Sequence, residues 1–170
     1  MDAGLAIASK REVRQYADKA IPDAVRRRIL DAGRLAGSAQ NRQRRRFVVV
    51  EDEELRDRLA ESVYAPGNVR GAALVVAIVG GGRGPVAFDA GRAAQNMMLA
   101  GWNEGVGSCP NGLTEPETVG ELLGVGEDER PVIVITFGFP ARLQNPESLT
   151  VEEWSRRANR KPLDEIVEIR

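Results

Sequence analysis

The chain contains no histidine and a single cysteine, Cys109. Without histidine there is no imidazole general base and no Ser-His or Cys-His nucleophile pair, and zinc sites built from His or several Cys are excluded as well. If the chain is an enzyme, a bound cofactor carries the chemistry; no catalytic side chain and no metal ligand set is expected. A lone cysteine excludes an internal disulfide and agrees with a reducing compartment. Long apolar runs are missing too. The longest, Ala72 to Val79, is far short of the roughly 20 residues that span a bilayer. The N-terminus has an Ala-x-Ala look at Ala6 to Ala8 but lacks the basic leader and apolar core of a signal peptide. A soluble, cytoplasmic protein is therefore expected. Nor is there an excess of either charge: 24 basic and 25 acidic residues leave −1, so the whole molecule offers no electrostatic case for nucleic acid or an anionic membrane.

What is present suits one core. A chain of 170 residues, 42% of them hydrophobic, is long enough for one complete domain, residues 1–170, and short for two. Helical and strand patterns alternate, which favours α+β or α/β. The organising stretch runs from Phe88 to Gly112. If Ala87 to Glu104 is helical, Asp89, Arg92, Asn96 and Asn103 share one narrow polar stripe, and nearly everything else on the cylinder is apolar or small. Such a helix sits in the middle of a fold. After Gly105 and Gly107 it leads into Pro110-Asn111-Gly112, read as a turn whose backbone is free to meet a ligand.

Around this stretch, residues 3–9 suit a short helix. Ile21-Pro22-Asp23 starts another, with Val25, Ile29, Ala32 and Ala36 at helical spacing. Arg46 to Glu51 reads as a buried strand, Asp52 caps a helix ending near Tyr64, and Ala72 to Val79 is a second buried strand. The following Gly-Gly-Gly-Arg-Gly-Pro lacks the third glycine of a dinucleotide fingerprint and any Walker lysine, so it reads as a flexible connection. Thr114-x-x-Glu117 and Thr150-x-x-Glu153 form capping boxes, and Pro131 opens a third apolar strand. The last residues, with Ile166, Val167 and Ile169, cannot hold themselves in place and should pack on another surface.

Three clusters could carry chemistry. Lys10, Arg11 and Arg14 could clamp a phosphate through charge-assisted hydrogen bonds, or form a solvated basic face. Ser38, Asn41 and Gln43 offer donors and acceptors for a heterocycle with mixed edges, although an ordinary helix-to-strand connection has the same composition. Arg42, Arg44, Arg45 and Arg46 make the densest basic patch, but no aromatic residues interleave with them to stack bases, which argues against nucleic acid.

Taken in order, these stretches resemble the FMN-dependent nitroreductase family. Lys10-Arg-Glu-Val-Arg-Gln-Tyr16 is similar to its N-terminal Arg-Arg-Ser-x-Arg-x-Phe signature, and Gly37-Ser-Ala-Gln-Asn-Arg-Gln43 to its Pro-Ser-x-x-Asn-x-Gln loop. Phe88 to Gly112 is similar to its Asp-x-Gly-x-x-x-x-Asn helix and Gly-Leu-Gly-Ser segment, and the Thr-Phe-Gly-Phe-Pro and Arg-Lys-Pro-Leu-Asp-Glu-Ile-Val endings also match, so the likeness covers residues 7–170. It implies an α+β fold, a mostly antiparallel sheet flanked by helices, in an intertwined homodimer whose C-terminal extension, residues 141–170, packs on the partner. It also implies FMN at the subunit interface, NADH or NADPH as donor, and a nitroaromatic, quinone or related small-molecule acceptor. Lys10, Arg11 and Arg14, with Arg160 or Lys161, would hold the FMN phosphate and ribityl chain. Ser38, Asn41 and Gln43 would come from the other subunit, and Pro110, Asn111 and Gly112 would line the isoalloxazine ring, with Asn68 or Arg70 nearest its pyrimidine edge. Departures from the family pattern, Glu12 for Ser or Thr and Arg44-Arg45 for Pro-Trp, keep two other readings open. One is a dedicated metabolic dehydrogenase or reductase on the same fold, with a deazaflavin as a further option, and the other is a flavin-binding protein without turnover.

Overall fold

The computed structural model describes residues 1–170, which form two compact units: Met1–Lys10 with Gln144–Arg170, and Arg11–Leu143. The terminal unit packs α1 (Ala3–Ser9) on α7 (Val151–Arg157). Each helix starts on a side-chain cap: Asp2 accepts from Leu5 N–H at 3.0 Å, and Thr150 and Glu153 form the expected reciprocal box. Trp154 is buried and its indole N–H donates to the Pro146 carbonyl at 2.7 Å, which gives the one large side chain of this segment a polar partner. Ile166, Val167 and Ile169 are exposed.

The larger unit is built on four antiparallel strands, β1 (Arg45–Val49), β2 (Leu74–Gly81), β3 (Gly107–Asn111) and β4 (Glu129–Gly138), in the order β1-β2-β4-β3. β2 alternates between two cores. Leu74, Val76 and Ile78 face α2 (Asp23–Arg34) and α5 (Val86–Asn103), while Val75, Ala77 and Val79 face the side of α3 (Glu53–Glu61), α4 (Pro66–Arg70) and α6 (Pro116–Leu122). Because both faces are covered, β2 reads as an unbroken apolar run instead of an alternating one. This is the α+β arrangement with an antiparallel sheet that the resemblance implied; the alternating pattern by itself had left α/β open. No helix is long and apolar enough to cross a membrane.

α5 starts one residue before the expected helix and stops one residue short of its end; Ala90, Ala93 and Met97 are wholly buried against α2 and the sheet. Three expectations are corrected. The Pro110-Asn111 stretch is not a turn but the end of β3, paired with β4 from Gly107–Gly138 to Asn111–Val134; the turn is made earlier by Gly105, at φ 74, and Pro110 is tolerated because β3 is an edge strand. The residues of β1, expected to be buried, are only half-buried, since β1 is the other edge. Thr114 makes no capping box: Pro116 in the first turn moves the start of α6 to Glu115, and Thr114 N–H instead donates to the Ser62 carbonyl at 2.9 Å. Proline there needs no N–H partner and has its φ preset for the helix.

The β1–β4 end of the sheet is tied by Arg46, whose guanidinium grips Glu129 at 2.8 Å. That hydrogen bond, with help from the Gly126 N–H, holds the Glu129 carboxyl well below its ordinary 4.5, at about 2. A carboxyl depressed in the folded state contributes stability that is present above its unfolded value and lost as pH falls through the folded one. Arg46→Gln should therefore flatten the loss of melting temperature between about pH 4.5 and 2 relative to the parent chain; parallel pH–melting curves would show the Arg46 contact to be irrelevant.

Candidate functional site

The loop after α2 is unusual in its backbone. Gln40, Asn41 and Gln43 all take left-handed conformations, with φ of 53, 53 and 51. Non-glycine residues adopt this region at a cost, and such outliers persist where the surroundings over-determine them, often at ligand sites. Here the surroundings are identifiable. Ser38 Oγ accepts from Gln43 N–H at 2.9 Å, closing the loop on itself, and Ala39 N–H donates to the Asp89 carboxylate at 3.1 Å. Arg92 lies so close to Gly37 that a Cβ there would fall 2.6 Å from its Nη2. Asn96 donates to the Ala32 carbonyl at 3.2 Å, and the Arg45 guanidinium covers the carbonyls of Gly33 and Arg34 at the end of α2 and of Ala36 just beyond it. The polar stripe of α5 thus has a purpose that periodicity alone did not reveal: Asp89, Arg92 and Asn96 seat the loop and the end of α2. The side chains of Asn41 and Gln43 are left exposed.

The second group lies along β3. Residues 11–16 run beside it in extended form, with Val13 N–H donating to the Ser108 carbonyl at 2.9 Å and Val13 packed where a Cβ on Gly107 would fall 2.6 Å from Val13 Cγ2. Only glycine at 107 allows this approach. Val13 is buried and Arg14 exposed, without an ion pair. Beneath β3 lies a buried polar network. Asn111 Nδ2 donates to the Cys109 carbonyl at 3.0 Å, to the Val134 carbonyl at 3.3 Å and to Thr136 Oγ1 at 3.2 Å, while its Oδ1 accepts from Asn68 Nδ2 at 2.8 Å. Thr136 Oγ1 shares a 2.9 Å hydrogen bond with the Tyr16 hydroxyl, and burial pushes the Tyr16 phenol up, keeping it protonated. Ser108 Oγ is also buried and has no hydrogen-bond partner.

The sequence-selected residues thus fall into three places. Arg11 and Arg14 flank β3 with Pro110, Asn111 and Gly112; Ser38, Asn41 and Gln43 ride the strained loop on α5; Lys10, Arg160 and Lys161 belong to the terminal unit. Asn68 is buried with its amide on Asn111, and Arg70 is paired with Asp57 at 3.3 Å and with Glu61. Tyr64, which the sequence did not single out, is 78% exposed with its ring against Gly112. A cavity of about 550 Å³ lined by Tyr16, Lys19, Arg56 and Arg70 takes in Arg70 alone of these candidates, and no group of His, Cys, Asp or Glu is placed to hold a metal ion. A phosphate-bearing heterocycle needs cations at one end and mixed donors and acceptors along its edges. Arg11, Arg14 and the orphaned Ser108 hydroxyl on one group, with Ser38, Asn41 and Gln43 on the other, are a donor set that fits.

Comparison with known proteins points to one family. A model of the nitroreductase family matches residues 7–81 and 81–139. An Archaeoglobus fulgidus protein named "Putative NADH dehydrogenase/NAD(P)H nitroreductase" is 30% identical over 168 residues, covering 87% of this chain and 96% of its own. A Thermus thermophilus protein named NADH dehydrogenase is 25% identical over 206 residues, covering 98% and 95%. Among solved structures, a "putative nitroreductase in complex with FMN" from Desulfovibrio desulfuricans superposes with a TM-score of 0.81 at 28% identity, covering 100% of this chain and 98% of that one.

Proposed function

The chain belongs to the nitroreductase family, and from that premise we propose that it is an FMN-dependent oxidoreductase, working as a homodimer, that moves reducing equivalents from NADH or NADPH to a nitroaromatic, quinone or similar small acceptor. The observation that carries the reading is the loop at residues 38–43, where three non-glycine residues are held left-handed and Asn41 and Gln43 are exposed, the Gln43 amide lying over the Asn41 carbonyl at 3.4 Å. Its support comes from the related structure bound to FMN and from the NAD(P)H-linked names of the relatives. When bound, FMN supplies a hydride acceptor and electron donor that the side chains of a histidine-free protein lack.

The chain's own residues bind and orient. Arg11 and Arg14 present cations to a phosphate, and Pro110 and Gly112, with Tyr64 beside them, form an apolar surface for a flat ring. Ser38, Asn41 and Gln43, contributed by the second copy, meet its polar edges. Asp89 and Arg92 act as positioning residues by fixing the loop. The terminal unit, with Lys10, Arg160 and Lys161, packs on the partner. Adding FMN to the purified protein should quench flavin fluorescence stoichiometrically, and anaerobic NADH or NADPH should bleach the bound flavin. A protein that takes up no FMN overturns the reading; one that binds FMN but is bleached by neither nicotinamide reduces it to flavin binding without turnover.

Gln43→Gly separates the loop's shape from its chemistry. Glycine accepts the left-handed backbone without strain, so the melting temperature should stay level or rise slightly, while loss of the amide should weaken FMN binding by about tenfold. A fall in melting temperature with unchanged FMN affinity would contradict both halves.

A further inference from the structure

The exposed arginines of the larger unit are not all alike. Arg26, Arg28, Arg34, Arg46 and Arg70 each meet a carboxylate. Arg42, Arg44 and Arg83 meet none, yet converge on one shallow depression beside Ala39, Pro85 and Asp89. They are brought there by design of the backbone. The left-handed turn at Gln40 and Asn41 aims Arg42, whose guanidinium rests on the Gln40 side-chain carbonyl. Arg44 lies against Gly82, at φ 68, where a Cβ would fall 2.6 Å from Arg44 Nη1, and that same nitrogen donates to the Arg83 carbonyl at 3.3 Å. Any other residue at 82 would be strained and would push Arg44 away. The single carboxylate at the depression, Asp89, is already engaged by the Ala39 N–H.

Three guanidinium groups around one engaged carboxylate repel one another, and an anion between them relieves that repulsion. The forked N–H groups of arginine match a phosphate monoester, which brings about two negative charges and several acceptor oxygens. Arg42 and Arg44 also bracket Gln43, so the depression borders the loop assigned to the flavin. We propose that Arg42, Arg44 and Arg83 form a recognition site for the 2′-phosphate of NADPH, making NADPH the preferred donor. The dinucleotide role rests on the flavin reading, whereas the affinity of the patch for a phosphate monoester does not.

The test titrates the full-length protein, in phosphate-free buffer at low ionic strength, with adenosine 2′,5′-bisphosphate, NAD+, which carries no phosphate monoester, and inorganic phosphate. The bisphosphate should bind about tenfold or more tightly than NAD+, since each charge-assisted contact is strong. Arg44→Gln and Arg83→Gln should each erase that margin with melting temperature and FMN uptake unchanged, and should raise KM for NADPH while leaving that for NADH alone. Arg83→Lys should restore it only in part, because a lysine cannot form the fork. Equal binding of the two nucleotides overturns the proposal. Inorganic phosphate binding as tightly as the bisphosphate assigns the patch to free phosphate and overturns the dinucleotide role. A chain that takes up no FMN but keeps the bisphosphate margin defeats the flavin reading and not the patch; one that takes up FMN without the margin does the reverse.

Discussion

Asn111→Leu should lower stability by about 3 kcal/mol or more, because it leaves several buried polar groups without partners at about 1–3 kcal/mol each. Asn68 Nδ2 loses its acceptor at 2.8 Å and is left with the weaker Cys109 Sγ at 3.6 Å, and the Val134 carbonyl loses the amide donor at 3.3 Å. The Cys109 carbonyl and Thr136 Oγ1 keep each other at 3.1 Å but lose the amide that joined them. At about 2–4 °C per kcal/mol for a chain of this size, the melting temperature should drop by about 6–12 °C. Asn68→Leu combined with Asn111→Leu should cost less than the sum of the two single changes, since removing both partners of a hydrogen bond strands fewer groups than removing one. Strict additivity, or a single-variant loss below about 1 kcal/mol, would show that the network is not a unit. Beyond the fold, the network fixes the strand that carries Pro110 and leads into Gly112, so the variant should also bind FMN less tightly at temperatures where it remains folded.

The same residues show how far the sequence could be read. Long, strongly periodic elements were legible: α5 was placed to within a residue at each end because Asp89, Arg92, Asn96 and Asn103 share one narrow stripe on a cylinder that is otherwise apolar or small. Pro110-Asn111-Gly112 carried a turn's local signature, and that signature lost to pairing with β4, a contact between residues 23 to 31 positions apart that no local pattern encodes. The loop was recognisable by composition and family likeness, but its left-handed backbone and its fastening to Asp89 depend on α5, some fifty positions away. Two clues were available and unused. Thr136 is the one polar residue within Val132–Phe137, and a lone hydroxyl inside a buried strand requires a partner. The polar stripe on α5 likewise implied a polar neighbour, which proved to be the loop.

Gly101→Leu should lose about 3 kcal/mol, the upper end of what overpacking a filled core costs. Gly101 lies in the stretch from Phe88 to Gly112 that was expected in the middle of the fold. Its surroundings in the fold are the chain's own: a Cβ there would meet the Val106 carbonyl at 3.3 Å, Phe137 Cδ1 at 3.4 Å and Ile29 Cδ1 at 3.6 Å. Alanine nearly fits, and the roughly 1 kcal/mol by which it favours a helix over glycine offsets the tight contact with the carbonyl, so Gly101→Ala should sit within about 1 kcal/mol of the parent. Leucine has no such room, because its branched end must displace Phe137 or Ile29, both fully buried. Its damage should therefore appear as a lowered melting transition, with the proposed subunit association and FMN binding lost together with the fold and not before it. Sedimentation of the leucine variant at 10 °C or more below its transition, a margin of about 3 kcal/mol, should match the parent. Dissociation into folded subunits under those conditions would instead put Gly101 at a contact between copies and remove it from the core of one.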